Sequence, residues 1–235
     1  MILDAEVELC ALTRKYLERE GFLVEDVREG KQGIARALAG DHALIILDAE
    51  ITGISGIEAL RRIRAESGVP VIMLTERGED VDRIVALEIG ADDSLSKPFN
   101  PRELVARARA ILRRTRQISP APSSVLPSEP PLVIGEVVLD KSTRKVRRAG
   151  KTLKLTGLEF KLLEVLMRAV GRVVTREELA QIVLGREFDP YDRSVKMHVS
   201  NLRKKLGPKK GCELIQTIRG VGYLFIRHGE ESRNK

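Results

Sequence analysis

The sequence predicts two domains of different class: an α/β domain built on a doubly wound parallel sheet, then a basic α+β domain. Three observations carry that prediction. Residues 1–114 alternate short apolar runs with helical patterns, as strand–helix–strand crossovers require. Residues 115–131 (Thr-Arg-Gln-Ile-Ser-Pro-Ala-Pro-Ser-Ser-Val-Leu-Pro-Ser-Glu-Pro-Pro) hold five of the chain's ten prolines and no apolar periodicity. Proline removes a backbone donor and fixes φ, so this stretch reads as an extended linker. The charge also changes there. Residues 1–114 carry 17 Lys/Arg against 21 Asp/Glu, a net of −4, whereas residues 115–235 carry 24 against 13, a net of +11.

In the first domain, the runs 43–48 (Ala-Leu-Ile-Ile-Leu-Asp) and 70–74 (Pro-Val-Ile-Met-Leu) have the near-continuous hydrophobicity of strands covered on both faces. Ile57, Leu60 and Ile63 mark a helix face between them. A later helix has Asn100 as cap, Pro101 in its first turn and Glu103 three residues after the cap, with Leu104, Ala108, Ile111 and Leu112 inward. The second domain, 132–228, begins with short strands near 132–139, 144–148 and 152–155. Thr156 with Glu159, and Thr175 with Glu178, form capping boxes ahead of two helices. A third helix is expected after Asp189-Pro190, and a hairpin closes the domain: Glu213–Ile218, a turn over 219–222, and Tyr223–Ile226. Residues 229–235 form a polar tail.

The chain has 235 residues, 43% hydrophobic and 32% charged, a globular composition. The longest apolar runs, Ala43–Leu47 and Val69–Leu74, fall far below the ~20 residues that cross a bilayer, so no membrane partner is expected. Met1–Glu6 lacks the basic start and apolar core of a secretory leader. Cys10 and Cys212 are too few and too distant for a disulfide framework or a zinc site, and fit a reducing cytoplasm. His42, His198 and His228 are equally scattered.

The third helix of the basic domain is the informative one. Val195, Val199, Leu202 and Leu206 fall at i, i+4, i+7 and i+11, a single apolar stripe. Arg193, Lys196, Ser200, Asn201, Arg203, Lys204 and Lys205 occupy the other faces. Cations for phosphates, with side chains such as Asn201 for base edges, are what a helix needs in the major groove of double-stranded DNA. Arg219, at the tip of the terminal hairpin, is placed to enter the adjacent minor groove.

Four motifs then make a resemblance specific: Leu155-Thr-Gly-Leu-Glu-Phe-Lys-Leu-Leu, Val173-Val-Thr-Arg-Glu-Glu-Leu, Asp192-Arg-Ser-Val-Lys-Met-His-Val-Ser-Asn-Leu-Arg-Lys-Lys-Leu and Thr217-Ile-Arg-Gly-Val-Gly-Tyr. They resemble the winged-helix effector domain of OmpR/PhoB response regulators, and Val183-Leu-Gly-Arg-Glu-Phe-Asp-Pro-Tyr-Asp-Arg is similar to Cpx-type members. The resemblance implies that Arg193, Ser194, His198, Ser200, Arg203, Thr217 and Tyr223 hold phosphates, with Lys196, Asn201 and Arg219 toward bases or the minor groove and Lys204 beside them. A packing role is the alternative for His198. The loop Gly185–Asp189 is where this family touches RNA polymerase.

Residues 1–114 resemble the family's CheY-like receiver, a five-stranded parallel sheet, through Leu44-Ile-Ile-Leu-Asp48, Val69-Pro-Val-Ile-Met-Leu-Thr75 and Gly90-Ala-Asp-Asp-Ser-Leu-Ser-Lys97-Pro-Phe-Asn-Pro-Arg-Glu-Leu. That implies a phosphoacceptor at Asp48, in a pocket with Asp4, Thr75 and Lys97. The family also binds Mg²⁺ through a pair of acidic residues after the first strand. Here those positions read Asp4-Ala5, leaving Asp4 and Asp48 as a weakened metal site that Glu6 or Glu50 would have to complete. Other departures point the same way. The aromatic switch position between Asp93 and Leu95 is Ser94. The loop after Asp48 has Thr52 where the family has Pro and Ser55 where it has Asp. Only Met1-Ile2-Leu3 precede Asp4, so the first strand is short. The family's receivers pair through the fourth helix, fifth strand and fifth helix, which implies Arg83–Glu103 and Asp93–Arg107 ion pairs between two copies.

The reading is a cytoplasmic, dimeric, sequence-specific DNA-binding regulator of a two-component system, not an enzyme, with an atypical receiver that acts with little dependence on Asp48 phosphorylation. No cofactor is firmly expected, and a sensor histidine kinase partner is left open. The alternatives are a conventional regulator phosphorylated on Asp48, a Mg²⁺-dependent phosphotransfer enzyme localised to DNA, and a non-specific architectural DNA protein.

Overall fold

The computed structural model describes residues 1–76, 80–116, 129–207 and 214–227. The chain forms two compact units, Met1–Arg113 and Arg114–Lys235.

The first unit runs β1 (Ile2–Leu3), α1 (Val7–Arg19), β2 (Asp26–Val27), α2 (Gly30–Leu38), β3 (Ile45–Asp48), a small hairpin of β4 (Glu50–Ile51) and β5 (Ile54–Ser55), α3 (Gly56–Glu66), β6 (Val71–Thr75), α4 (Asp80–Ile89), β7 (Asp93–Ser96) and α5 (Pro101–Arg116). Its five-stranded sheet has the order β2-β1-β3-β6-β7 with every pairing parallel. Every residue of β3 and β6 is buried, because helices cover both faces of the sheet. Although β1 has only two residues, it pairs with both β2 and β3. The Met1 ammonium extends the β3 pairing by donating to the Leu44 carbonyl at 2.9 Å. On α5, the Asn100 side chain accepts from the Arg102 N–H at 3.0 Å, and Leu104, Ala108, Ile111 and Leu112 are buried.

The first turn of α3 lies hard against the end of β3. A Cβ on Gly56 would sit 1.9 Å from the Asp48 carbonyl oxygen, a backbone atom with no freedom to yield. Gly56→Ala should therefore push the α3 start away from Asp48 and destabilise this domain by about 1–3 kcal/mol, measured by denaturant unfolding.

The second unit runs β8 (Leu132–Ile134), β9 (Val137–Asp140), β10 (Lys145–Arg148), β11 (Lys151–Leu153), α6 (Gly157–Arg168), β12 (Val173–Thr175), α7 (Arg176–Leu179) continuing as a π-helical turn (Ala180–Leu184), α8 (Ser194–Leu206), β13 (Ile215–Ile218) and β14 (Gly222–Phe225). An antiparallel sheet of order β11-β10-β9-β8 precedes the helices, and a sheet of order β12-β14-β13 closes the domain. Both capping boxes form. Thr156 and Glu159 exchange backbone–side-chain bonds at 2.7 and 3.3 Å, as do Thr175 and Glu178 at 2.9 and 3.1 Å.

Two local expectations need correction. The strand expected over 132–139 is two strands, because Gly135 adopts φ 56° and folds β8 back on β9. Asp189 and Pro190 do not start the third helix. They form a turn in which Asp189 accepts from the Tyr191 N–H at 2.9 Å, and α8 begins only at Ser194. Asp192 accepts from the Ser194 N–H at 2.9 Å and supplies the anchor instead. Most of the proline-rich segment, residues 117–128, lies outside the described residues, as does the tail 228–235, while α5 runs on to Arg116. Among the described residues no helix is long and apolar enough to cross a membrane.

Candidate functional site

In the first domain the residues expected to form an acceptor pocket meet at the carboxyl ends of the central strands, where chain order reverses on either side of β1 and β3. Asp4 follows β1, Asp48 ends β3, Thr75 ends β6 and Lys97 follows β7, so four separate strand ends bring these side chains together. Asp4, Asp48 and Thr75 are buried. The Lys97 ammonium sits 2.5 Å from Asp48 Oδ2, 3.9 Å from Asp4 Oδ2, 3.8 Å from Glu6 Oε2 and 3.6 Å from Glu76 Oε1. Burial pulls the Lys97 pKa down, but the hydrogen bond and charge of Asp48 outweigh it and hold the group above its ordinary value. The second oxygens are also engaged: Asp4 Oδ1 accepts from the Glu6 N–H at 2.8 Å and Asp48 Oδ1 from the Glu50 N–H at 3.3 Å.

This donor set does not fit Mg²⁺. The carboxylates gather around an ammonium, and among the described residues no three His, Cys, Asp or Glu side chains converge on a point where a metal could sit. Ala5 is exposed and offers only a methyl group where a second acidic residue would stand. Glu6 reaches toward Lys97 from solvent, and Glu50 is exposed in the β4–β5 hairpin. Thr75 Oγ1 lies 3.5 Å from Ser96 Oγ, and Ser94, in register with Met73, is buried two residues earlier in β7.

Asp4 carries the electrostatic cost of the pocket. Burial first, then the neighbouring Asp48 charge, raise its pKa to about 6 against the pull of the Glu6 N–H. A carboxyl group raised in the folded state stabilises the fold below about pH 4 and loses that contribution as pH climbs through about 6. Asp4→Asn should therefore raise the melting temperature of this domain at pH 7.5, by the equivalent of about 1–2 kcal/mol, with the gain shrinking toward pH 4. Calorimetry across that range checks it. A pH-independent change contradicts it.

The residues expected at a dimer face lie on α4, β7 and α5, but Arg107 is engaged within one chain. Its guanidinium donates to Asp93 Oδ2 at 2.8 Å and to Glu103 Oε1 at 2.6 Å. The i, i+4 spacing of Glu103 and Arg107 on α5 makes the second contact local. Arg83 is half-buried on α4.

In the basic domain α8 buries more than its apolar stripe. Val195, Val199, Leu202 and Leu206 are inward as expected, but Met197, His198 and Asn201 are buried too, Asn201 with only 6% of its surface exposed. The outward placement of Asn201 is corrected by its burial: the apolar stripe alone does not reveal that residues beside it are covered as well. The exposed face consists of Arg193, Lys196, Lys204 and Lys205, with Ser200 and Arg203 half-exposed, and Thr217 and Arg219 are exposed on the hairpin. Ser194 is 1% exposed and is held by the helix entrance, its hydroxyl 2.6 Å from Asp192 Oδ1 and accepting from Arg186 at 3.0 Å. Tyr223 is buried in the core of this domain.

Several structural partners of this face carry no local sequence signal. The Arg203 guanidinium donates to the Ile215 carbonyl at 2.7 Å and to Thr217 Oγ1 at 2.8 Å, and lies 5.8 Å from the Tyr223 ring centroid. It ties α8 to the hairpin. Arg148, on β10, donates to the carbonyls of Leu206 and Gly207 at the α8 C-terminus. Lys205 reaches Glu159 of the first capping box at 2.6 Å. In the loop before α8, Phe188 packs against the core while Tyr191 is 88% exposed.

Residues 1–109 match the family described as response regulator receiver domain, and residues 150–225 match that described as transcriptional regulatory protein, C terminal. The transcriptional regulatory proteins CpxR of Escherichia coli (strain K12) and of Klebsiella pneumoniae are each 43% identical over 227 residues, covering 96% of this chain and 97% of theirs. The chain is an OmpR/PhoB-family response regulator of the Cpx type. A solved structure of a RitR mutant is similar at a TM-score of 0.74 and 26% identity, covering 95% of this chain and 96% of that one. The regulator thus joins a CheY-like receiver to a winged-helix DNA-binding domain, the architecture of a two-component transcriptional regulator.

Proposed function

We propose that this regulator binds its operator in the cytoplasm as a dimer and does so with little dependence on phosphorylation of Asp48. The observation that carries the reading is the acceptor pocket itself: Lys97 occupies the centre of its carboxylates, and Ala5 supplies no metal ligand. Phosphoryl transfer to an aspartate needs a divalent cation to neutralise the charge that gathers on the transferring oxygens. Without it Asp48 is a poor acceptor. The same lack argues against a phosphotransfer enzyme that is merely localised to DNA. Incubation with acetyl phosphate and Mg²⁺, followed by intact-mass measurement and DNA titration, tests this. Stoichiometric modification of Asp48 with a large rise in DNA affinity would overturn it.

A conventional, kinase-driven regulator is the second reading, and one observation favours it: Asp48, Thr75 and Lys97 do meet in one buried pocket. A sensor kinase partner belongs to this family's architecture, and the acetyl phosphate experiment separates the two readings.

For DNA, the reading assigns phosphate contacts to Arg193, Ser200, Arg203 and Thr217, and base or groove contacts to Lys196 and Arg219, with Lys204 reinforcing the cationic face. Ser194, His198, Asn201 and Tyr223 support that surface from beneath. Arg219→Ala should weaken binding to the selected operator by about 1–3 kcal/mol while leaving random-sequence DNA nearly unaffected. Equal loss on both would instead favour a non-specific architectural role. Dimerisation through α4, β7 and α5 would bring Arg107 to a partner across the interface in addition to, or in place of, Asp93 and Glu103. Its contact with the exposed Glu103 contributes only ~0–1 kcal/mol, so exchanging that one sets register more than affinity. The exposed Tyr191 and the neighbouring Gly185–Asp189 loop form the surface proposed to meet RNA polymerase.

A further inference from the structure

We propose that the groove between α1 and α5 of the receiver binds a nucleoside phosphate, which goes beyond the reading above and stands whatever the state of Asp48. The groove holds about 390 Å³ and is lined by Tyr16, Arg19 and Glu20 from α1 with Arg102, Val105 and Arg109 from α5. That volume falls in the range of small-molecule sites, roughly 300–1,000 Å³. Arg109 pairs with Glu20 across the groove. Neither Arg19 nor Arg102 has an ion-pair partner among the described residues, and both are exposed. Three guanidiniums therefore face one carboxylate, leaving the rim with two uncompensated positive charges.

The two halves of the groove differ in chemistry. The rim offers planar guanidinium forks, which bind phosphate oxygens bidentately. Tyr16 packs at the edge of the receiver core, and Val105 is buried, so the floor is aromatic and aliphatic. An aromatic ring beside phosphate-binding forks matches a ligand that carries a flat base and a phosphate on one frame. A long polyanion fits poorly, because the surrounding domain carries a net charge of −4. Binding would also bear on output. The Arg109–Glu20 pair bridges α5 and α1, and α5 carries Glu103 and Arg107 before it ends at Arg116. A ligand shifts that helix only as far as its affinity differs between the helix's arrangements.

The experiment is calorimetric titration of the full chain with ATP and with GTP, beside tripolyphosphate (phosphate without a base) and adenosine (a base without phosphate). One site per chain is expected for at least one nucleotide, about 10-fold or more tighter than tripolyphosphate or adenosine. Arg19→Ala/Arg102→Ala should weaken it at least ~10-fold while leaving operator affinity in nucleotide-free buffer unchanged. Tyr16→Leu should abolish the preference over tripolyphosphate. Four results overturn the proposal: no binding of either nucleotide below about 1 mM, nucleotide binding that survives the double arginine variant, tripolyphosphate binding as tightly as the nucleotides, or a change of oligomeric state in the double arginine variant without any nucleotide effect. The second would place the ligand on the DNA-binding face, the third would indicate bare polyanion attraction, and the fourth would make the groove an interface between copies.

Discussion

Asp92→Ala is expected to destabilise the receiver selectively, lowering its stability by about 3–5 kcal/mol while the DNA-binding domain keeps its own transition. Asp92 precedes β7 and is 2% exposed on its side chain; Arg64, on α3, is 8% exposed. Their contact is 2.8 Å, and Asp92 Oδ2 also accepts from the Val71 N–H at 2.9 Å. Arg64 is further committed to the Gly90 carbonyl at 2.7 Å and the Val69 carbonyl at 2.6 Å. One ion pair thus joins α3, the start of β6 and the turn into β7. Truncating Asp92 leaves a guanidinium with almost no access to water and an N–H that has lost its acceptor. Domains of this size are stable by ~5–15 kcal/mol, so the loss is a large fraction of the total. A fall of roughly 10–20 °C in the receiver's melting temperature follows. Calorimetry reads it directly, since the two compact units should melt as separate transitions. A paired apolar replacement, Arg64→Met with Asp92→Leu, should recover much of the loss, because no buried charge then lacks its counterion. If the single and paired variants melt alike, the pair is not what joins these elements.

That ion pair also marks the limit of what the sequence discloses. Capping boxes at Thr156 and Thr175 were legible because both partners lie within one helical turn, and the buried strands β3 and β6 because burial on both faces leaves a continuous apolar run. Arg64 and Asp92 stand 28 residues apart, and neither position has a local pattern that announces the other. Arg148 is hidden for the same reason: its partners at the α8 C-terminus are 58 and 59 residues away. Asn201 shows a different failure. A single apolar stripe predicts one buried face, but Met197, His198 and Asn201 outside that stripe are buried as well. The acceptor pocket was legible at Asp48, Thr75 and Lys97 because each ends or follows a recognisable apolar run. The enclosure of Lys97 by Glu6 and Glu76, which sets the pocket's charge, was not.

Restoring the missing carboxylate should turn that pocket back into a metal site. Ala5 is exposed and directly follows Asp4, so Ala5→Asp adds an acidic group at the mouth of the pocket without overpacking the core. Mg²⁺ takes oxygen donors near octahedral geometry, and a third carboxylate beside Asp4 and Asp48 gives it one that the Lys97 ammonium does not already engage. Outer-shell changes at metal sites alter affinity about 10–100-fold, and a direct ligand should do at least as much. Mg²⁺ affinity and the rate of acetyl phosphate labelling at Asp48 should therefore both rise by about 10–100-fold or more. Ser94→Tyr addresses a separate step. Ser94 is buried in β7 on the strand that leads to Lys97, so a ring there must swing outward or displace its neighbours, at a cost of about 1–3 kcal/mol. Ala5→Asp alone should restore labelling, and only the double variant should couple labelling to a rise in DNA affinity. Should Ala5→Asp bind Mg²⁺ yet leave Asp48 unlabelled, the acceptor is misaligned and the pocket's defect extends beyond its metal. Should it fail even to bind Mg²⁺, the Lys97 ammonium, held by Asp48 at 2.5 Å, holds the site against the cation.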